Sequence, residues 1–271
     1  MAYYLLRARS TIFPKASPTL QFLRYRHAGQ AMTMPSQPRV QKSAIIAQKA
    51  LIGDAKTDIG LLTDTFIMPT GTNLPSLFKK PGERLSLIKI RIKQRIFDIR
   101  DMVVFKWATK QKLRIWEPKK VAPSLHKDMY TAFAEGDLDS LRLLCGDGLL
   151  NSFQKRIAVR RNAKMEWKLH KLLSRPKVVS NKAHHYMGYN QDRRQAVVRI
   201  HSLQSLSKFN AQGKLVEGEP KEVVEYLVIE KNYHMGKESP WYVWGTTEET
   251  TMQRFIEENK KKEARVKYAY Q

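Results

Sequence analysis

The stretch MYTAFAEGDLDSLRLLCGDGLL, Met129 to Leu150, sets Glu135, Asp137, Asp139 and Asp147 against one base, Arg142, in a chain of formal net charge +24. Carboxylates this close together can act as general acid and base. Their spacing suggests a plainer role. Gly136 can take the left-handed conformation that ends a helix carrying Tyr130 and Phe133. Asp137 then caps a second helix bearing Leu138, Leu141 and Leu144, with Asp139 in its first turn near the positive dipole end. Asp147 can repeat the device for a third helix. A cap contributes about 1 kcal/mol, so architecture accounts for these acids and none is expected to be catalytic.

Other chemistry-bearing residues are scattered. His184 and His185 are adjacent and point to opposite sides of a strand, the wrong geometry for joint ligation. His126, His170, His201 and His234 show no ligand spacing. Cys145 is the single cysteine, which excludes an intramolecular disulfide and a thiolate zinc cluster; its apolar neighbours suit a buried, inert thiol. There is no nucleophile elbow, phosphate loop or dinucleotide fingerprint. AFAEGDLDSLRLL has the look of an ankyrin helix pair, but no second copy follows at the repeat period. His201 and Tyr226 could line the concavity of a cone-shaped enzyme, and read more simply as half-buried strand residues. The expectation is no enzyme, no cofactor and no metal.

Charge carries the stronger signal. The chain holds 49 Lys and Arg against 25 Asp and Glu, which points to a polyanionic partner. Residues 79–120 have 14 bases and 4 acids, and residues 152–182 have 10 bases and one acid. A solvated face mixes both signs, and these blocks do not. They suit phosphate contacts on structured RNA, read by shape and backbone, and equally an anionic lipid surface. The expected RNA contacts are Arg91, Arg95, Lys106, Lys110, Arg156, Arg160, Arg161 and Lys164, with arginine ranked first for its bidentate geometry.

The elements that must position these bases follow from periodicity. Leu85, Ile88, Ile92, Ile96, Ile99 and Val103 recur at three and four, the apolar face of a long helix. From Met165 onward the pattern becomes short β segments: Trp167 to Val179, Ala183 to Tyr189, Gln195 to Leu206, Glu222 to Tyr233 and Trp241 to Thr247. NAQGKLVEGEP signals a hairpin, and VVEYLVIEK reads as the most buried strand. Helices followed by antiparallel strands predict an α+β domain, helices packed on a curved, mainly antiparallel sheet, over residues 81–247. Before it, residues 28–80 are rich in Pro, Gly, Ser and Thr and read as an extended basic arm that orders on a partner. Residues 1–27 contain Arg, Ser and apolar residues without acid, the makeup of a mitochondrial presequence. Residues 248–271 form a charged tail that starts helical. No apolar run reaches the length of a membrane span.

MEWKLHKLLSRPKVVS, QAVVRIHSLQSL, GKLVEGEPKEVVEYLVIEK and SPWYVWGTTEE, in that order, resemble a known family. It is that of the mitochondrial large-subunit ribosomal protein of the L-forty-five type and its fungal relative, the Mba-type ribosome receptor, which share a domain with the import-motor anchor Tim-forty-four. The resemblance implies a Tim-forty-four-like, cone-shaped α+β fold and a structural role on the mitochondrial ribosome near the polypeptide exit. It implies as partners large-subunit rRNA, neighbouring ribosomal proteins, the inner-membrane surface with its insertion machinery, and the nascent chain. The place implied is the matrix, peripheral to the inner membrane. A peripheral import-motor adaptor is the alternative; the long charge-alternating helical region of such adaptors has no counterpart before Pro81.

Overall fold

The computed structural model describes residues 60–62, 65–110, 112–160, 165–185, 191–209, 215–216, 218–234, 237–257 and 259–260. The presequence, most of the arm, the end of the tail, and Arg161 and Lys164 lie outside them. After a short 3₁₀ turn at Gly71–Asn73 come helices α1 Pro81–Thr109, α2 Glu117–Glu135, α3 Leu138–Leu144 and α4 Asp147–Val159. Strands β1 Met165–Leu172, β2 Lys177–His185, β3 Gln191–Phe209, β4 Leu215–Val216, β5 Lys221–His234, β6 Lys237–Glu238 and β7 Tyr242–Thr247 follow. This is the expected α+β class, with an antiparallel sheet curled into a half-barrel.

β3 and β5 form its spine, in unbroken register from Gln191 opposite His234 to Gln204 opposite Lys221. On the other edge of β3, β2 pairs with its first half and β1 with its second. β7 and β6 pair with the far edge of β5. Register shifts at Leu169/Lys171, Val178/Ser180 and Val228/Ile229 are the irregularities that let a sheet bend.

Alternation along the spine splits the core in two. Ala196, Val198 and Ile200 of β3, with Leu227 and Ile229 of β5, pack under Met129 of α2, Leu141 of α3 and Phe153 of α4. Val197, Tyr226 and Val228 face the other way, under Ile67. Both faces being covered explains why VVEYLVIEK is nearly continuous in apolar residues. Packed chain therefore reaches upstream of Pro81: Phe66 and Ile67 are buried, and the Ile67 carbonyl accepts from the Thr250 amide at 2.8 Å.

The acidic stretch behaves as its spacing predicts. α2 ends at Gly136, φ 78°, and the Asp137 carboxylate accepts from the Asp139 and Ser140 amides, each at 3.1 Å. Asp147 differs slightly: Gly146 is the cap, and Asp147 is the first residue inside α4. The expected strand over Trp167 to Val179 is two strands, β1 and β2, separated at residues 173–176. Pro176 has no amide to contribute to a ladder, and the turn before it reverses the chain.

α1 holds the largest correction. It forms where periodicity places it, but the face toward the sheet is Leu87, Gln94, Asp98, Met102 and Phe105. The isoleucine face faces solvent: Ile96 is 60% exposed and Ile99 65%. Satisfying polar groups decides the rotation. α1 lies along β2, and the Ser180 hydroxyl there donates to Asp98 at 3.3 Å while Gln94 donates to Asp98 at 2.9 Å. Lys182 lies 4.0 Å from the same carboxylate, and the Phe66 amide donates to Gln94 at 3.2 Å. Isoleucines turned inward would leave these buried groups unpaired, at about 1–3 kcal/mol each. Phe105 closes the contact, edge-on to Tyr233 at 5.1 Å. Phe105→Ala is therefore expected to destabilise the fold by about 3–5 kcal/mol and Ile96→Ala by under about 0.5 kcal/mol in chemical denaturation; equal losses would contradict this rotation of α1.

Candidate nucleic-acid and membrane-facing surfaces

Among the described residues four bases, Lys182, Arg193, Arg194 and Lys231, are buried inside the fold. Arg194 is fully buried; it donates to the Arg114 carbonyl at 3.1 Å and to Asn181 at 3.2 Å, and its guanidinium lies 5.3 Å from the Trp241 ring centre. Arg193 pairs with Glu230 at 3.2 Å, and Lys231 with Glu117 at 3.7 Å and with Glu238. Lys182, counted in the second basic block, is buried beside Asp98. These buried charges tie strands to helices and to the α1–α2 connection.

The eight expected RNA-contact residues separate accordingly. Arg91 is half-buried, with Nη1 3.1 Å from Met68 Sδ. Arg95 is half-buried and donates to the Val178 carbonyl at 3.3 Å. Arg160 is half-buried over Phe133, 5.3 Å from the ring centre, and burial lowers its pKa. It also fills the space beside the α2 terminus: a Cβ on Gly136 would sit 2.8 Å from Arg160 Nη2. Lys106, Lys110 and Arg156 are exposed, and among the described residues none of the three has a carboxylate within ion-pairing distance. Arg161 and Lys164 lie outside the described residues. Sequence spacing alone cannot separate an arginine that stacks on a ring from one that faces water, because the ring belongs to another helix.

Among the exposed bases, two groups stand on separate elements. One is on α1 beside β2, with Lys89, Lys93, Lys106 and Lys110 exposed. The other is on α4, with Lys155 and Arg156 exposed. α4 packs beside β7, and its Gly146 cap donates to the Val243 carbonyl at 2.8 Å. Since the strands run β2, β3, β5, β7 across the sheet, the two surfaces sit beside opposite edges of it.

A family model for the MBA1-like protein matches residues 49–271. The chain belongs to the MBA1-like protein family. The match spans both basic surfaces and the packed residues upstream of Pro81, and none of the curated proteins matches the chain. The family is mitochondrial and associated in general with the ribosome and the membrane. Among the described residues no helix is long and apolar enough to cross a membrane. Kinship with the L-forty-five and Tim-forty-four proteins rests on the sequence resemblance alone.

In this family member several other titratable groups have structural partners. His201 lies 2.5 Å from Glu222 and Tyr226 donates to Glu249 at 2.7 Å, both on the sheet face opposite α2–α4. Under α2, His126 Nε2 lies 2.6 Å from Glu225, and Tyr130 also donates to that carboxylate. Tyr130 stacks on Trp167 at 5.2 Å. Burial pushes the Glu225 carboxyl up, but hydrogen bonds from His126 and Tyr130 outweigh it and hold the group below its ordinary value. A carboxylate with a depressed folded-state pKa adds stability above its unfolded value of about 4.3, lost as pH falls through the folded one. Glu225→Gln is expected to lower Tm at neutral pH and to flatten the fall of Tm below about pH 4, as thermal unfolding across pH would register; an unchanged acid limb would contradict this role.

Proposed function

We propose that the chain is a non-catalytic scaffold of the mitochondrial large ribosomal subunit, placed near the polypeptide exit. It binds rRNA, contacts neighbouring ribosomal proteins, and helps tether the ribosome to the inner membrane from the matrix side for co-translational insertion. It acts beside the insertion machinery and within reach of the nascent chain, and needs no cofactor or small-molecule substrate. The observation that carries this reading is the placement of two free basic surfaces at opposite edges of one sheet: such a body can hold two polyanions at once. Membership of the MBA1-like family supports the ribosomal and membrane setting, and supports it over the import-motor adaptor.

Of the two surfaces, α4 is the better suited to rRNA. Lys155 and Arg156 stand on the same exposed turn, near a helix C-terminus where positive charge is itself favourable. Their neighbour Arg160 is held over Phe133 and braces the turn. Arg161 and Lys164 follow directly in sequence and extend the same basic run.

Lys155→Gln/Arg156→Gln, leaving Arg160 in place, is expected to weaken co-sedimentation with salt-washed large subunits. It should reduce the slope of log affinity against log salt by about two, with an unchanged circular dichroism spectrum. Retention equal to the unsubstituted chain at moderate salt would refute α4 as an rRNA contact.

A further inference from the structure

The outward face of α1 is unusual for a water-facing helix. Leu85, Ile92, Ile96, Ile99, Val103 and Trp107 are 54%, 56%, 60%, 65%, 48% and 81% exposed. At 100° per residue they fall within an arc of about 100° and run some 33 Å along the helix. An exposed apolar strip of this length marks an interaction surface, not ordinary scatter. The buried polar groups at Gln94 and Asp98 hold the opposite face to β2, so the ridge is fixed outward on a rigid body.

Charge around the ridge identifies its occupant. Lys89 and Lys93 line one flank, and Lys106 with the C-cap residue Lys110 stands at the other. The acids of α1 are turned away: Asp98 is buried, Glu83 pairs with Lys80 at 3.0 Å, and Asp101 is held by Arg100 at 2.9 Å. By the helical period Glu83 and Asp101 project about 150–170° from the ridge centre. An apolar strip with bases on both flanks matches a plane of hydrocarbon bordered by phosphates. Long basic side chains can lay their stems on the acyl boundary and keep their heads among the phosphates. RNA would leave six apolar side chains in water, and a partner helix would need acids along both of its flanks. Phe78, 98% exposed just ahead of the helix, and Trp107 near its end are the amphipathic or aromatic residues that settle at a membrane interface.

On these grounds we infer that α1 lies in the plane of an anionic bilayer, with the Leu85–Trp107 ridge inserted at the acyl boundary and its flanking lysines on lipid phosphates. The inference rests on the scaffold role proposed above and names the surface that meets lipid. It assigns Lys106 and Lys110 to lipid headgroups, leaving rRNA to α4.

Flotation of the full chain tests it, using phosphatidylcholine vesicles with and without phosphatidylglycerol. The unsubstituted chain should float with the anionic vesicles. Ile92→Asp/Ile96→Asp/Ile99→Asp should lose at least tenfold in bound fraction while keeping its Tm, since all three side chains already face water. Lys89→Gln/Lys93→Gln should lose the preference for phosphatidylglycerol, and brominated acyl chains should quench a component of tryptophan emission that Trp107→Phe removes. Failure of the unsubstituted chain to float, or flotation of the triple aspartate variant, would overturn the inference. So would loss by that variant of large-subunit binding in detergent, which marks a protein contact, or of a dimer in sedimentation, which marks a self-interface. Large-subunit co-sedimentation separates the two readings: flotation failing while sedimentation holds removes the lipid surface alone, and the converse removes the rRNA contact alone.

Discussion

The pairing of β3 with β5 is the constraint on which the rest depends. Their register runs without a break from Gln191 to Gln204, and both faces of the pair are buried. A two-sided ladder leaves no freedom to slip, because a shift of one residue would exchange the side chains meeting α2–α4 for those meeting Ile67. Every other strand hangs on one edge of this pair, so the positions of β2 and β7, and of the helices beside them, follow from it.

Opposite edges then receive different treatment. At β7 the α3–α4 connection adds a parallel bridge, Cys145 to Val243, and the Gly146 amide caps onto the strand. At β2 the covering element is a long helix whose inward face is partly polar. Packing α1 on β2 and the α3–α4 connection on β7 limits how far these two strands stand open to edge-to-edge pairing. The same coverage carries the basic helices α1 and α4 outward on two sides, which is the geometry the functional reading uses.

The division of charge follows from packing as well. Lys182, Arg193, Arg194 and Lys231 are desolvated and paired within the sheet and its connections, where a lost partner would leave an uncompensated buried charge. Their cost is offset by carboxylates and carbonyls already in place, among them Asp98, Glu230, Glu117 and the Arg114 backbone. What remains at the surface is strongly positive because 49 bases stand against 25 acids and pairing inside the fold uses the two signs in similar numbers.

Local chemistry made several features legible in the sequence. The helix end at Gly136 and the Asp137 cap need only neighbours two or three residues away, and the near-continuous apolar run of β5 declares burial on both faces. Ordered short motifs named the family. Rotation of α1 was not legible. Its richest apolar stripe is the one that faces outward, and what turned the helix was the need of Ser180, Lys182 and the Phe66 amide for Gln94 and Asp98, residues brought together only by the fold. For the same reason Arg160 and Arg156 look alike in sequence yet differ in place, one laid over Phe133 and one in water. Composition determined that this chain would carry a large excess of positive charge; tertiary structure decided which charges were left free and on which edges, since pairing and burial depend on groups far apart along the chain.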